Sequence, residues 1–182
     1  MNVTQAWCGV LIIVGSLLSV TGCSGYHTGQ LDKKLRAKAV ITGPGISGEA
    51  YIHEEYEGRV RITLRLEGTP ESKLTPGRHA IHIHEKGNCT GDGTNAGGHF
   101  NPAGAPHGAP GSTPRHAGDL GNLTADANGQ ALLSISVHGI SLGMESDSII
   151  GRAVIVHADP DDLTSQPSSN AGAPVACGLI GK

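Results

Sequence analysis

The sequence predicts a single all-β domain, and three observations lead to this prediction. The chain has 182 residues, of which 28 are Gly and 10 are Pro, whereas Phe and Trp occur once each. This composition indicates many turns and closely packed strands rather than a bundle of helices. Apolar and polar residues alternate in several short segments, and helical periodicity is missing after the N-terminal segment. The length leaves room for one domain of ordinary size.

The clearest predicted element is a hairpin over residues 48–68. Its second half alternates four apolar residues with three polar ones: Val60, Ile62, Leu64 and Leu66 with Arg61, Thr63 and Arg65. One face of this hairpin is therefore expected to lie in the core and the other in solvent. Segments 80–84, 131–137 and 149–157 have the same β-rich pattern and predict further strands.

Two long stretches, 87–121 and 159–174, show no periodicity and are rich in Gly, Pro, Asn and Ser. Irregular loops of this length inside a domain are usually functional or disordered. Because the first stretch contains several histidines, we interpret both as functional loops.

Charge and histidine content narrow the class of partner. The 13 basic and 16 acidic residues give a net charge of -3, and no run of Lys or Arg is long enough to form a phosphate-binding stripe. Nucleic acid is therefore not expected as a partner. Ten histidines are many for this length, and most of them fall between His79 and His157, which indicates metal binding.

The N-terminal segment reads as an export signal. Residues 10–20 are apolar, but they are too few for the ~20 residues that a membrane-spanning helix needs. Residues 20–23, VTGC, resemble a bacterial lipobox, so we expect residues 1–22 to be a lipoprotein signal peptide and Cys23 to carry the lipid. Residues 23–38 are expected to form a polar tether. No Lys or Arg precedes the apolar core, which leaves simple cleavage near Gly22 and free secretion as an alternative.

Both interpretations of the N-terminus export the protein, and the lipoprotein interpretation places it in the cell envelope, facing the periplasm or the exterior. The four cysteines then separate by position. Cys8 is removed with the signal, Cys23 takes the lipid, and Cys89 and Cys177 remain. In an oxidising compartment we expect these two to form a disulfide, which stabilises a chain of this kind by about 3 to 5 kcal/mol. The alternative is a pair of free buried thiols.

His82 and His84 form the first candidate metal site. They lie two residues apart in a predicted strand, so both imidazoles point to the same face and can reach one ion. Such an HxH pair alone is weak evidence, because it arises by chance in a chain rich in histidine.

The second candidate site lies in the loop that follows. His99, His107, His116 and Asp119 occur among few apolar residues, in a loop that could hardly keep a fixed shape unaided. Three imidazoles and a carboxylate suit a closed tetrahedral zinc site, which would couple metal binding to the ordering of the loop. The alternative is four solvated loop side chains.

Five segments resemble the copper,zinc superoxide dismutases, in the form of an exported bacterial lipoprotein. They are HIHEKGNC (82–89), GGHFNP (97–102), HAGDLGN (116–122), IIGRAVIVH (149–157) and ACGLIG (176–181). The resemblance extends over residues 37–182, and the domain is predicted to occupy 39–182. His107, His116 and Asp119 follow His99 by eight, seventeen and twenty residues, as they do in that family. The resemblance implies an eight-stranded Greek-key β-barrel or sandwich with two long functional loops.

The resemblance also implies the cofactors, copper and zinc, and the substrate, superoxide. Copper would be held by His82, His84, His99 and His157. Zinc would be held by His99, His107, His116 and Asp119. His99 would then bridge the two ions and carry a proton during catalysis, while Asp161 would accept hydrogen bonds from His82 and His107 and so fix their rings.

One position departs from the family pattern. Family members place an arginine three residues before the C-terminal cysteine, beside copper, and here that residue is Pro174. Proline has neither a charge nor a backbone N–H, so we expect weaker attraction of the superoxide anion and reduced activity. Arg115 or Lys86 would be the candidates to replace the missing charge.

Two alternative functions share parts of this pattern. The missing arginine favours an envelope protein that holds copper and zinc with little or no dismutase activity, whereas a bridging histidine favours the enzyme. A cupin-type HxH enzyme is rejected because Glu85 follows the second histidine directly. The sequence leaves the oligomeric state open, including a homodimer.

Overall fold

Eight strands form the body of the protein in the computed structural model, which describes residues 34–56 and 58–182. They are β1 (Arg36–Gly43), β2 (Ile46–Glu54), β3 (Arg59–Gly68), β4 (Gly77–His84), β5 (Asp119–Ala125), β6 (Gln130–His138), β7 (Ala153–His157) and β8 (Pro174–Leu179). A short 3-10 helix, Gly91–Ala96, lies in the loop between β4 and β5. The predicted all-β class is confirmed.

The strands close into a barrel in the order β1-β2-β3-β6-β5-β4-β7-β8, and all neighbouring strands are antiparallel. Strands β4, β5 and β6 are consecutive neighbours, and β7 returns to lie beside β4. This is the Greek-key arrangement, so the predicted eight-stranded Greek-key barrel is confirmed. Closure leaves none of the eight described strands with a free edge for pairing with another chain.

The two sides of the barrel are buried differently. In β1 and β3, buried residues such as Ile41, Ile62 and Leu64 alternate with residues that are exposed or partly exposed, which is the pattern of a sheet with one solvated face. In β7 every residue is buried, and β4 is buried from His79 to His84. The inner face of β4 packs into the core, while the two long loops cover the outer face of this strand. The candidate metal ligands lie in this covered layer.

The predicted hairpin is confirmed as β2 and β3, which pair from Ile46↔Gly68 to Glu54↔Val60. Strand β7 is shorter than the predicted segment 149–157. Residues 149–152 form a turn, in which Arg152 N–H donates to the carbonyl of Ile149 and Gly151 has φ 80°.

The sequence pattern does not predict β5, which begins at Asp119, inside the stretch 87–121 that we interpret as a loop. At the other end of the domain, β1 begins at Arg36, so residues 36–38 of the expected tether belong to the barrel. The expected signal peptide 1–22, Cys23 and the tether up to residue 33 lie outside the described residues. Within the described part of the chain, no helix has the length and apolarity needed to cross a membrane.

Cys89 and Cys177 form the predicted disulfide, with 5.5 Å between their Cα atoms. It ties the loop after β4 to β8. Cys177 is buried against Ala96, Ala153 and Ile155, in a small apolar cluster beneath that loop. The bond thus holds the loop over the outer face of the sheet.

We expect the loss of this disulfide to lower stability by a large amount. The bond spans a sequence separation of 88 residues, for which the chain-entropy relation gives about 4 to 5 kcal/mol. The double variant Cys89→Ala/Cys177→Ala should show a loss of this order in the urea unfolding of the metal-free protein. Reduced wild-type protein is the control, because it lacks the bond but keeps both sulfur atoms. A loss below about 1 kcal/mol in both would contradict the prediction.

Candidate metal centre

Two strands position three of the candidate copper ligands. His82 and His84 lie on β4, with Ile81 and Ile83 turned into the core between and beside them. His157 is the last residue of β7, which pairs with β4 from Ile81↔Val156 to His84↔Ala153. His99 joins them from the loop through a β-bridge to His84. The four rings each offer one donor atom, and these atoms lie within 4.8 Å of one another.

The candidate zinc ligands form a second group, made by the loop and the start of β5. The donor atoms of His99, His107, His116 and Asp119 also lie within 4.8 Å of one another. Asp119 Oδ1 lies 2.8 Å from His99 Nδ1, 3.0 Å from His107 Nδ1 and 3.2 Å from His116 Nδ1. All four side chains are almost completely buried.

His99 belongs to both groups, as the sequence predicts. Its Nδ1 faces Asp119, so Nε2 is the atom that remains for the first group. Its ring stacks on His82 with 3.8 Å between ring centroids. The two donor groups therefore lie on opposite sides of the one imidazole ring of His99.

Hydrogen bonds fix the tautomers of the first group. His84 Nδ1 lies 2.7 Å from the carbonyl oxygen of Gly97, and His157 Nδ1 lies 3.1 Å from that of Gly172. Because a carbonyl oxygen only accepts, both Nδ1 atoms must carry the proton. The Nε2 lone pairs of these two rings then face the centre, 3.4 Å apart.

Asp161 connects the two groups from behind. Its Oδ2 accepts from His82 Nε2 at 2.9 Å, and its Oδ1 accepts from His107 Nε2 at 3.0 Å. Asn122 holds the backbone of Asp161 with hydrogen bonds of 2.7 Å and 3.0 Å. Burial raises the pKa of Asp161, but hydrogen bonds from His82, Leu163 and His107 outweigh it, so the pKa lies below its usual value. The carboxylate therefore stays ionised and orients both rings.

The ring nitrogens that have no hydrogen-bond partner fit a metal ion at each group. His82 Nδ1 and His107 Nδ1 are buried without a hydrogen-bond partner among the described residues. His107 Nδ1 does lie 3.0 Å from Asp119 Oδ1, but without hydrogen-bond geometry, and we read this as two ligand atoms facing one ion position. Four donors at about 2.0 Å from a tetrahedral ion lie about 3.3 Å apart. The spacings around Asp119 are close to this value.

Asp119 supplies the negative charge of the second group. Burial raises its pKa, but hydrogen bonds from His99 and the N–H of Gly108 prevail and lower it to about 2. Its Oδ2 also accepts from the N–H of His116 at 2.9 Å. The carboxylate is thus ionised and held rigidly at any physiological pH.

Gly118 sets the register of this loop against β4. Its carbonyl accepts from Ile83 N–H at 2.9 Å, and its N–H donates to Phe100 at 2.9 Å. A Cβ at this position would stand 2.2 Å from the oxygen of Ile83, so only glycine permits the approach. The sequence pattern alone did not indicate this role.

Of the two residues considered as charge replacements, Arg115 is held by other groups. Arg115 donates to the carbonyls of His116, Ala117 and His138, so its guanidinium braces the loop. Lys86 is exposed and lies 3.9 Å from Glu85. Pro174 pairs with the candidate ligand His157 across β7 and β8, which places the uncharged residue beside the first group.

The buried rings predict an acid-sensitive metal-free protein. Burial lowers the pKa of His82 to about 4 and that of His84 to about 3. Above pH ~6.5 both rings are neutral in the folded and the unfolded chain. Below it the unfolded chain binds protons that the folded chain does not, so the free energy of unfolding should fall by about 1.4 kcal/mol per pH unit for each ring.

Urea unfolding of the metal-free protein between about pH 7.5 and about pH 4.5 measures this slope. His84→Gln should make it shallower, because one buried ring is removed. His138→Gln, which changes an exposed ring on β6, should leave it as in the wild type. A free energy of unfolding that does not change over this range would show that the rings are not buried in the neutral form.

Comparison with known proteins agrees with the geometry. Residues 46–180 match the family model described as copper/zinc superoxide dismutase. The chain is also similar to a crystal structure described as that of the clock protein EA4. The two share 38% sequence identity and a TM-score of 0.73, over 80% of this chain and 93% of the other. The family match spans most of the chain and contains strands β2 to β8 and both donor groups. The chain therefore belongs to the copper/zinc superoxide dismutase family.

Proposed function

We propose that the protein is an exported superoxide dismutase with weakened attraction for its anionic substrate. Copper would be bound by His82, His84, His99 and His157. Zinc would be bound by His99, His107, His116 and Asp119. The observation that carries the proposal is the single buried imidazole of His99 shared by the two donor groups, which a site for one metal does not need.

When bound, copper supplies one-electron redox chemistry, which zinc cannot supply because its d shell is filled. In the net reaction one superoxide is oxidised to O₂, and a second is reduced and takes up two protons to give H₂O₂. The histidines of the first group are all nitrogen donors, which suit copper, whereas the closed set of three imidazoles and a carboxylate suits structural zinc.

The chain's own residues have separate tasks in this proposal. The carbonyls of Gly97 and Gly172 hold His84 and His157 in the tautomer that leaves Nε2 free. Asp161 does the same for His82, leaving Nδ1 free. His99 Nε2 holds a proton during part of the cycle and returns it to the reduced substrate. The covering loops exclude bulk water from the rings.

Attraction of the substrate is the weak step. Pro174 stands beside His157 without charge or N–H donor, and Arg115 is held by three backbone carbonyls. Loss of electrostatic steering lowers association by a factor of about 10 to 10³. From a start near the diffusional limit this still leaves an active enzyme.

Export is part of the proposal. The Cys89–Cys177 disulfide is consistent with an exported protein, because such bonds persist in oxidising compartments. We propose further that Cys23 carries a lipid and anchors the domain to a membrane of the cell envelope. The motif VTGC after an apolar segment supports this.

A second candidate function is metal holding without rapid turnover. It is favoured by Pro174 at the position beside copper, and the similar structure is described as a clock protein and not as an enzyme. Storage of two metals does not require a shared imidazole or a carboxylate that orients one ring from each group. We therefore place the enzyme first.

Restoring the charge at position 174 tests the proposal. Wild-type protein loaded with copper and zinc should dismutate superoxide at a rate that changes little with salt. Pro174→Arg should be about tenfold faster at low ionic strength and should lose this gain as salt increases, because screening removes steering. Pulse radiolysis at several ionic strengths measures both rates.

Pro174→Gln is the matched control, because it removes the proline ring without adding charge. Its rate should stay within about twofold of the wild type at every salt concentration. Full binding of both metals with negligible turnover in all three proteins would reject the enzyme and leave metal holding.

A further inference from the structure

The loop that connects β7 to β8 contacts His107, a member of the second donor group, through two of its residues. Asp161 is only one of them. This loop covers residues 158–173. Asp161 accepts from the ring of His107, as described above. Five residues later, Gln166 contacts the backbone of the same histidine.

The second contact is a pair of hydrogen bonds. The N–H of His107 donates to Gln166 Oε1 at 2.8 Å, and Gln166 Nε2 donates to the carbonyl of His107 at 2.9 Å. An amide side chain thus pairs with both polar groups of one residue, as a neighbouring strand would. His107 lies in the region between the 3-10 helix and β5, which has no strand to satisfy these groups otherwise.

Gln166 is itself held in place before it reaches His107. Its Nε2 also lies 3.2 Å from the carbonyl of Thr164. Asp162 Oδ1 accepts from the N–H groups of Thr164 and Ser165 at 3.0 Å and 2.8 Å, which forms a tight turn. The two ends of the loop are joined by a hydrogen bond from Ala158 N–H to the carbonyl of Ala173 at 2.9 Å. The glutamine therefore projects from a fixed turn.

One loop therefore binds His107 at two points, the ring and the backbone. Asp161 fixes the rotation of the ring, and Gln166 fixes the position of the backbone from which the ring extends. A ring whose orientation is set but whose Cα is free would still move its Nδ1 away from the other donors. Ligand geometry of this kind has to be held to a fraction of an ångström.

We propose that Gln166 is a positioning residue for His107, which holds the backbone of this ligand so that zinc is retained. The proposal rests on the zinc site of the proposed function. Gln166 contacts no substrate and takes no part in the redox step.

Zinc release to a chromogenic chelator tests the proposal in the metal-loaded protein. Gln166→Leu should release zinc about tenfold faster, the low end of the effect seen when groups that orient a ligand are lost. Gln166→Glu keeps the acceptor for the N–H of His107 but cannot donate to its carbonyl. Its rate of zinc release should therefore fall between those of the wild type and Gln166→Leu. Gln130→Leu is the control, because Gln130 is exposed on β6 and hydrogen-bonds to Asp126 through its backbone.

A second measurement needs no metal. Hydrogen exchange of the His107 amide in the metal-free protein should be faster in Gln166→Leu and unchanged in Gln166→Glu and Gln130→Leu. The free energy of global unfolding in urea should fall in Gln166→Leu by no more than the faster exchange at His107 implies, and it should not change in Gln130→Leu, which separates a local role from general stability.

Zinc release in Gln166→Leu within twofold of the wild type, together with unchanged exchange at His107, would overturn the proposal. If the wild type binds no zinc, the proposed function fails, and the exchange measurement still decides whether Gln166 holds His107. If Gln166→Leu does not fold, the zinc test uses Gln166→Glu. Zinc release by this variant at the wild-type rate would overturn the proposal.

Discussion

Six histidine rings and two carboxylates are buried together between one side of the barrel and two loops, and each must find a partner there. An unsatisfied polar group in such a place costs on the order of 1 to 3 kcal/mol. The protein solves most of this internally. Carbonyls take the outward N–H of two rings, and Asp161 takes those of two others. The lone pairs that remain point at two centres. The need to satisfy them explains why loops with so few apolar residues can be ordered when metal is bound.

The barrel makes this arrangement possible because β4 and β7 are stiff and buried on both faces. Ile81 and Ile83 fix β4 from the core side, so His82 and His84 emerge on the outer face at a fixed spacing. The loops are fastened to that face at separate points. The Cys89–Cys177 bond holds the start of the first loop, Gly118 pins its end to β4, and Asn122 holds the turn at Asp161. The site is thus assembled from long-range contacts on a rigid support.

Much of the fold could be predicted from the sequence, because alternation over β2 and β3 is strong and turn residues separate the strands. Strand β5 was missed because Gly121 and Asn122 interrupt its apolar pattern, and Asn122 is used to bind the backbone of Asp161. Spacing predicted which histidines belong together. It could not predict Gly97, Gly172 or Gln166, because these act through carbonyl groups or a side-chain amide whose partners are distant in sequence. Likewise, Arg115 looked available for an anion until its bonds to three carbonyls were known.

The position of Pro174 separates two properties that are easily confused. Metal retention depends on the ligands and on the groups that orient them, and every such group described above is in place. Substrate capture depends on the charge at the mouth of the site, and the departure at Pro174 concerns only this property. A change that lowers the encounter rate leaves the affinity for copper and zinc unaltered. A protein selected only to hold metal would need the same orientation of the rings, because the free Nε2 atoms are its ligands too. It would have no use for one imidazole shared by the two donor groups, so the position of His99 argues for a slowed redox site rather than a store.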